Sequence, residues 1–419
     1  MSTFDSFGLA PSVLRGVRDA GYTTPTPVQA ATLPFALKGI DVVGVAQTGT
    51  GKTAAFVLPI LDYLEKEPTE GKKRVIRALI VTPTRELALQ IEDSVQTYGA
   101  TTRLRSATIY GGVGKGKQRT ALRNGVDIVV ATPGRLLDLL GEGLLDLDWV
   151  DILVLDEADR MLDMGFIRDV RKIVAAVPEQ RQTLLFSATM PTEIQDLART
   201  VLYKPEVIEV GQRRDPAKTV AQQAVRVAEK DKQHLLQHLL ENEPIEKAIV
   251  FTRTKYRADR VNKKLDRAGF DAIAIHSNRS QGQRQRALKG FEDGQYRVLV
   301  ATDIAARGID IEGVTHVVNF DAPNVPEDYI HRIGRTGRAE STGDAITFVS
   351  AAETGHLRAI EKHTGRPLTR ETYGRFARGA ELESPPEPKK KGGSRGGNRG
   401  RSAQPQRGRK PKGRGKRRR

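Results

Sequence analysis

The sequence has no cysteine, one tryptophan and an aromatic content of only 5% in 419 residues. Without cysteine the chain forms neither disulfides nor thiolate zinc sites. It also lacks any run of 18 apolar residues, so we expect no membrane-spanning helix. Residues 1–8 contain neither a basic nor an apolar segment and therefore do not predict a signal peptide. Together these absences favour a cytoplasmic protein with no membrane partner.

The formal net charge is +17, but it is concentrated at one end of the chain. Residues 384–419 contain six Lys, nine Arg and one Glu, a net charge of +14, which leaves +3 for the other 383 residues. A block of like charge that is rich in Gly and Pro cannot form a core, and it is expected to be disordered. The sequence thus combines a nearly neutral folded part with a polycationic tail.

A chain of this length is too long for one ordinary core. Apolar runs alternate with helical patterns up to about Val210 and begin again after a polar segment, which predicts two α/β domains with parallel sheets. We expect the domains at 1–210 and 219–366, a linker at 211–218, and a basic tail rich in Gly, Arg and Lys at 367–419. The strand Ala345 to Val349 is expected to close the second sheet.

A glycine-rich segment lies between a short apolar run, Val42 to Val45, and a helical pattern that begins at Ala54. This is the context of a phosphate-binding loop, in which glycines let backbone N–H groups point inward and a lysine contacts the outer phosphates. The alternative is a glycine-rich turn that matches by chance. The predicted nucleotide-binding residues here are Ala46, Gln47, Thr48, Gly49, Thr50, Gly51, Lys52 and Thr53.

The most apolar strand, Ile152 to Leu155, runs directly into Asp156, Glu157 and Asp159. Buried acids at a strand end need a cation or donors. We expect Asp156 and Thr53 to hold Mg²⁺, partly through water, and Glu157 to orient or deprotonate an attacking water. A helix N-cap explains one of these acids well but not three.

Small, hydroxylated and basic residues follow three other predicted strands of the first domain. Such groups at strand ends suit a phosphodiester backbone, although each one alone fits an ordinary turn. The candidates are Pro83, Thr84, Arg85, Gly111, Gly112, Thr132, Gly134 and Arg135.

The second half has no phosphate loop of its own but is rich in arginine at strand ends. Arg332, Arg335 and Arg338 are three residues apart, so on a helix they would share roughly one face and could stabilise a transferring phosphoryl group. A solvated basic face is the alternative, which Gly334 and Gly337 weaken because they destabilise a plain helix.

These segments together resemble the DEAD-box family of ATP-dependent RNA helicases, whose four letters stand at 156–159. The resemblance covers about Phe4 to Gly365, with the family motifs in order. It implies two tandem RecA-like domains, ATP and Mg²⁺ as cofactors, and RNA as partner with little sequence preference. Segments 278–283 and 301–308 and the basic tail are similar to the bacterial RhlE-type subgroup. Ribosomal or RNA-decay proteins are further family-level expectations.

The resemblance also assigns roles to residues. Phe4 would stack on adenine, Gln29 would bind its edge, and Asp303 would contact the ribose. Lys52, Asp156 and Glu157 would be catalytic, with Arg335 and Arg338 as arginine fingers. Coupling between ATP and RNA would involve Asp159, Ser187, Thr189, His331 and Arg332. The second domain would contact RNA through Arg253, Gln281, Arg284, Thr302 and Gly308.

Neither half alone holds a complete ATPase site, so we expect a clamp that ATP and RNA both favour closing. It would unwind short duplexes locally, without processive movement, or remodel RNA–protein complexes. Two alternatives stay open. The first is an ATP-gated RNA-annealing protein, which the polycationic tail favours. The second is a DNA-directed translocase, which the DEAD tetrad and the segment around Gln29 argue against.

Overall fold

The computed structural model describes residues 3–46, 49–68, 74–210, 220–306, 311, 313–337, 343–374 and 376, with the backbone alone at 304. The described residues belong to one compact unit and contain two parallel sheets of seven strands each. We call residues 3–210 the first lobe and residues 220–376 the second lobe. The predicted α/β fold of two tandem RecA-like sheets is therefore confirmed. The predicted linker, 211–218, and residues 377–419 lie outside the described residues.

The first lobe contains a sheet in the order β3-β4-β2-β5-β6-β1-β7. Its strands are β1 (Val42–Val45), β2 (Ala78–Val81), β3 (Ser106–Ile109), β4 (Ile128–Ala131), β5 (Ile152–Leu155), β6 (Gln182–Ser187) and β7 (Glu206–Glu209). Its helices are α1 (Pro11–Asp19), α2 (Pro27–Ala36), α3 (Lys52–Lys66), α4 (Arg85–Tyr98), α5 (Gly116–Arg123), α6 (Pro133–Gly141), α7 (Ala158–Asp163), α8 (Ile167–Ala175) and α9 (Thr192–Val201). A 3₁₀ turn, Phe4–Phe7, precedes them.

The second lobe repeats the plan with the order β10-β11-β9-β12-β13-β8-β14. Its strands are β8 (Val220–Arg226), β9 (Ala248–Phe251), β10 (Ala272–Ile275), β11 (Val298–Ala301), β12 (His316–Asn319), β13 (Gly343–Val349) and β14 (Thr369–Glu371). Its helices are α10 (Lys232–Asn242), α11 (Lys255–Arg267), α12 (Gln281–Glu292), α13 (Asp303–Ala306), α14 (Pro326–Ile333) and α15 (Thr354–Thr364). The 3₁₀ turns Glu229–Asp231 and Ala351–Glu353 complete it.

The central strands are continuous apolar runs because helices cover both faces of each sheet. All four residues of β2, of β4 and of β5 are buried in the first lobe, as are those of β9 and β11 in the second. In the first lobe alternate residues of these strands enter two separate core clusters, one on each side of the sheet. This burial on both faces explains why the sequence pattern located these strands well.

The expectation that Ala345 to Val349 closes the second sheet is wrong. That stretch is part of β13, which lies inside the sheet between β12 and β8, and β14 follows it along the chain. Three strands have no clear sequence signal because they are edge strands or polar. They are β7, which is mostly exposed, β8, with the sequence VAQQAVR, and the exposed β14.

The second lobe also extends beyond residue 366, where we expected the tail to begin. Thr369–Glu371 pairs in parallel with β8, and Leu368 and Phe376 are buried. The basic composition of the later residues obscured this short segment, whose two apolar side chains are enough to attach it to the core.

A buried ionic cluster joins three segments of the second lobe. Lys232 of α10 is fully buried, and its Nζ lies 2.6 Å from a carboxylate oxygen of Glu353 and 3.5 Å from one of Asp321. Both carboxylates are buried as well. Because an unpaired buried charge is costly, this lysine is required by the two acids that surround it.

We therefore predict that Lys232→Met destabilises the protein by about 3 kcal/mol, since it removes the closest cation of the buried Glu353. It also leaves the buried Asp321 with Arg257 alone among the described cations, at 3.2 Å. Urea unfolding followed by far-UV circular dichroism would measure the loss. Lys172→Met, an exposed lysine of α8, is the matched control and should change the free energy of unfolding by less than about 0.5 kcal/mol. Equal losses in the two variants would contradict the structural role of the cluster.

Candidate active site

The predicted phosphate loop lies where expected, between β1 and α3. Gly49 and Gly51 have φ of 81° and 89°, a left-handed conformation that favours glycine. The Nζ of Lys52 is buried and donates a hydrogen bond of 2.6 Å to the carbonyl of Ala46. The lysine thus points back into the loop that is expected to hold phosphates. Gln47 and Thr48 lie outside the described residues.

Gln29 lies against this loop. Its side chain completes a capping box with Thr26 at the start of α2, and its Nε2 donates to the carbonyl of Gly51 at 3.0 Å. A Cβ at Gly51 would lie only 2.6 Å from that Nε2, so a larger residue, already disfavoured by the φ of 89°, would also displace the Gln29 side chain. Gln29 therefore connects α2 directly to the phosphate loop. Phe4 is packed into the core of the first lobe with 3% of its surface exposed.

The acids Asp156 and Glu157 follow β5 and are both buried. Glu157 has a φ of 51°, in the left-handed region, and its N–H donates to Asp156 Oδ1 at 2.9 Å. Burial raises the pKa of Asp156 to about 7, although Lys52 opposes the rise. A carboxyl that resists ionisation in this way is a group whose charged form a bound cation would stabilise.

Glu157 has the opposite tendency. Burial alone would raise its pKa, but Arg160 and Lys52, with a smaller contribution from Arg335, hold it below its usual value. The nearest cation is Arg160, whose Nη1 lies 2.6 Å from Glu157 Oε2 inside the protein. The pKa values of two adjacent carboxyls thus shift in opposite directions, because Arg160, Lys52 and Arg335 together offset the burial of Glu157, whereas Lys52 alone does not offset that of Asp156. Sequence reasoning missed Arg160, although its position three residues after Glu157 on a short helix was available as a signal.

Asp159 links the acid cluster to the end of β6. Its Oδ2 accepts hydrogen bonds of 2.8 Å from both the N–H and the hydroxyl of Thr189. Its own N–H donates to the hydroxyl of Ser187, which in turn donates to the carbonyl of Thr189. The two predicted hydroxyls and the acid therefore form one closed network.

Both lobes line the cleft in front of this network. Lys52, Glu157, Asp159 and Arg160 come from the first lobe, and His331 and Arg335 come from the second. Burial lowers the pKa of His331, and it lowers that of Arg335 to about 10, with repulsion from Arg160 adding to the effect. Arginine remains charged at neutral pH even so, and a second-lobe cation therefore faces the buried acids of the first lobe.

The expectation that three arginines share one helix face is wrong. Helix α14 ends at Ile333, because Gly334 follows as its C-cap and Gly337 has a φ of 66°. Arg332 makes a two-pronged ion pair with Asp303, at 2.5 and 2.8 Å, and donates to Asn319 and to the carbonyl of Asp321. It stays inside the second lobe, whereas Arg335 lines the cleft. Arg338 lies outside the described residues.

The sheet order separates two groups of candidate residues in the first lobe. The phosphate loop, the acids and Ser187 lie at the ends of the neighbouring strands β1, β5 and β6. The candidates for a phosphodiester backbone follow β2, β3 and β4, which are also neighbours. Residues at the carboxyl ends of adjacent parallel strands lie along one edge of a sheet, so each group occupies its own half of that edge.

Within the second group, local contacts explain several positions. The hydroxyl of Thr84 accepts from Leu87 N–H at the start of α4, and the guanidinium of Arg85 packs against Gly112, where a Cβ would collide with it. Arg135 donates to the carbonyl of Val113 at 3.1 Å. Leu87 N–H is thus occupied by the cap, whereas the N–H groups of Arg85 and Glu86 in α4 and of Gly134 and Arg135 in α6 have no intrahelical acceptor. The remaining candidates Pro83, Gly111, Thr132 and Gly134 lie in the same segments.

The second-lobe candidates follow β9, β10 and β11, again three neighbouring strands. Gln281 and Arg284 of α12 each approach Glu86 of the first lobe at 3.1 Å, and this buried contact joins the lobes. Arg253 contacts Glu353 at 3.0 Å. Thr302 follows β11, and Gly308 lies outside the described residues. Sequence reasoning did not find Glu86, because its partners are almost 200 residues away.

Comparison with known proteins agrees with this geometry. A family model described as DEAD/DEAH box helicase matches residues 26–197, and one described as helicase conserved C-terminal domain matches residues 231–340. The DEAD-box ATP-dependent RNA helicase CshA of Geobacillus kaustophilus is 46% identical over 88% of this chain and 78% of its own length. CshA of Bacillus subtilis is 44% identical over 88% of this chain and 74% of its own length.

Among solved structures, that of Saccharomyces cerevisiae Dbp5 bound to RNA and ADP BeF3 matches with a TM-score of 0.78. It is 31% identical and covers 91% of this chain and 98% of the other. A DEAD box protein from Methanococcus jannaschii matches with a TM-score of 0.53 at 38% identity, over 88% and 99% of the two chains.

This chain belongs to the DEAD-box family, and it is an ATP-dependent RNA helicase of the bacterial type. The curated relatives above carry the name CshA, so the similarity does not point specifically to the RhlE-type subgroup. In the part of the chain that the structure describes, every helix is too short or too polar to cross a membrane.

From the raised pKa of Asp156 we predict how the free energy of unfolding depends on pH. Between 3.8, its ordinary pKa, and about 7, the native carboxyl keeps a proton that the unfolded chain has lost. The native state then binds more protons, so stability must fall as the pH rises through this window. From about pH 5 to about pH 8 the nucleotide-free wild type should lose more stability than Asp156→Asn, which has no such proton.

Thermal unfolding of both proteins across this range would test the prediction. Asp196→Asn, an exposed aspartate of α9, is the control and should follow the wild-type profile. Parallel profiles for wild type and Asp156→Asn would show that the carboxyl is not held protonated.

Proposed function

We propose that this helicase acts as a two-lobe clamp in which each lobe supplies part of one ATPase site. The observation that carries the proposal is the cleft in which Glu157 and Lys52 of the first lobe face Arg335 of the second. Lys52 would bind the outer phosphates, and Arg335 would stabilise the charge that develops on the transferred phosphoryl group. Arg338 would act beside it as a second finger.

Glu157 is proposed to orient and deprotonate the attacking water. Its pKa is held below the ordinary value by surrounding cations, so it is ionised and able to accept a proton. The short ion pair with Arg160 fixes the carboxylate at a defined position in the cleft. The left-handed backbone at Glu157 contributes as well, since such strain is maintained where a side chain must be aimed.

The site also fits Mg²⁺. This ion usually keeps several waters and binds one or two carboxylates together with substrate phosphates. Asp156 would be that carboxylate, partly through water, with the hydroxyl of Thr53 at the start of α3. In the described residues no group of three or more His, Asp or Glu side chains could hold a metal alone, which agrees with an ion that arrives with the nucleotide. When bound, the ion would neutralise phosphate charge.

Adenine recognition is proposed for Gln29 and Phe4, with Asp303 near the ribose. Gln29 uses one amide hydrogen on Gly51 and accepts from Thr26 N–H at 2.9 Å, which leaves its second amide hydrogen and a lone pair for a base edge. Phe4 would have to expose its ring for stacking. Because Gln29 also contacts Gly51, binding of adenine to Gln29 would directly affect the phosphate loop.

RNA is proposed to lie along the other half of the strand ends, from β2, β3 and β4 to the second-lobe residues after β9, β10 and β11. Backbone N–H groups, hydroxyls and arginines bind phosphates without reading bases, so little sequence preference is expected. The network of Asp159, Ser187 and Thr189 follows β5 and β6 in the half that holds the phosphate loop, and β5 is the strand next to the RNA half. His331 approaches the network from the second lobe. This network is the proposed route of coupling.

Unwinding would follow from closure, because the two closed lobes would hold one RNA strand in a bent conformation. A bent strand does not fit a regular A-form duplex, so the complementary strand would be released locally. Local separation of short duplexes is therefore favoured over processive movement. Annealing of RNA strands is a second candidate activity, and the +14 charge of residues 384–419 favours it, because a polycation reduces repulsion between strands.

We predict that Glu157→Gln lowers RNA-stimulated ATP hydrolysis at least about 100-fold, because the amide cannot accept the proton. ATP binding, measured with a fluorescent nucleotide, should remain within a few-fold of wild type. Glu179→Gln, an exposed glutamate of the first lobe, is the control and should retain full turnover. Substantial RNA-stimulated turnover in Glu157→Gln would exclude Glu157 as the base.

A further inference from the structure

Helix α11 of the second lobe has an unusual surface. It contains six basic and two acidic residues, and its only buried side chains are Ala258, Val261 and Leu265. The opposite face has the exposed residues Tyr256, Arg260, Lys263 and Arg267 at spacings of four, three and four, which places them in one line along the helix. We call these four residues the α11 stripe.

The cations of the stripe lack a balancing partner in the described part of the chain. Arg260, Lys263 and Arg267 form no ion pair with any residue that the structure describes. Of the two acids on the helix, Asp259 is engaged by His276 at 2.9 Å and by Arg279 at 2.8 Å, and Asp266 is exposed at one flank. Like charges three and four residues apart destabilise a helix, so folding alone does not explain the arrangement.

The stripe begins with an exposed aromatic ring. Tyr256 has 72% of its surface exposed, and the ammonium group of Lys255 lies 5.3 Å from its ring centre. An aromatic face beside cations is the combination that binds single-stranded nucleic acid, since bases stack on the ring while the cations follow the phosphates. A purely solvated helix face would gain nothing from an exposed tyrosine.

The stripe is also continuous with the proposed RNA path. Arg253 immediately precedes the helix, whose N-cap is Thr254. Lys255 donates to Asn278 at 2.8 Å, and Arg279 binds Asp259, so the first turn of α11 is attached to the loop that leads to Gln281. From Tyr256 the stripe extends about 17 Å along the helix, away from this junction.

We infer that the α11 stripe is an additional binding surface for the single-stranded RNA that leaves the clamp, with Tyr256 stacking on a base and the three cations binding phosphates. The inference rests on the proposed RNA path and extends it. Its consequence is that RNA longer than the clamp binds more tightly than RNA that only fills it. The polyanionic partner is RNA because the surface continues from the contacts that this helicase is proposed to make with its substrate.

The test uses the full chain and two kinds of RNA. One is the shortest oligouridylate that fully stimulates ATP hydrolysis, and the other is that RNA lengthened at its 5′ end, its 3′ end or both. The variant Arg260→Gln/Lys263→Gln/Arg267→Gln should weaken binding of the lengthened RNA alone. The slope of log affinity against log salt should become shallower by about 2, from three phosphate contacts at about 0.7 each.

The matched control is Arg168→Gln/Arg171→Gln/Lys172→Gln, which removes the same charge from exposed positions of α8 in the first lobe. This control should leave the affinity for both RNAs, and the salt dependence of that affinity, unchanged. Tyr256→Ala should weaken binding of the lengthened RNA about tenfold, and Tyr256→Phe should retain it, because stacking needs the ring and not the hydroxyl.

The inference is overturned if the α11 variant binds lengthened RNA as tightly as the wild type does. It is equally overturned if the α8 control loses as much affinity for lengthened RNA as the α11 variant. It is also overturned if the α11 variant loses affinity for the short and the lengthened RNA by the same factor. An equal loss would mean that the three cations attract RNA only through the overall charge of the protein. Failure of the proposed function looks different, because the wild type itself would then show no RNA-stimulated hydrolysis.

Discussion

The candidate active site depends on keeping one carboxylate charged inside the protein. Glu157 is buried, and burial alone would raise its pKa, but nearby cations more than offset that effect. Two of them, Arg160 and Lys52, belong to the first lobe, and the third, Arg335, belongs to the second. Arg335 is itself buried, and both burial and repulsion from Arg160 lower its pKa, so additional negative charge in the cleft would stabilise its charged form. The charge balance of the candidate site therefore involves both lobes, which is the physical basis of the proposed clamp.

The order of the strands gives this site its relation to RNA. In the first sheet β5, β6 and β1 are neighbours, and so are β3, β4 and β2. The acids and the phosphate loop thus share one half of the strand ends, and the candidate RNA residues share the other. Asp159 and Thr189 lie in the first half, and Asp159 lines the cleft together with His331. A change in how the lobes meet would alter both halves together, without any long pathway between them.

The central strands and most of the candidate nucleotide site were predictable from the sequence. Buried parallel strands have continuous apolar sequences, and the motifs directly follow them. The phosphate loop, the acids after β5 and the hydroxyls of β6 all lie where the sequence placed them. What the sequence did not indicate depends on contacts between distant segments. Glu86 meets Arg284 across the lobes, Arg332 binds Asp303 and not the cleft, and β14 joins the sheet through two apolar neighbours. None of these pairings has a local pattern.

The most direct test of the clamp is the thermodynamic coupling between its two ligands. The affinity of a non-hydrolysable ATP analogue would be measured with and without saturating single-stranded RNA, and the affinity for RNA with and without the analogue. If both ligands favour the closed arrangement, each must tighten the other by the same factor, on the order of 5- to 150-fold. Arg335→Gln should reduce that factor, because it removes the second-lobe cation from the shared site. Affinities that are independent of each other in the wild type would contradict the account.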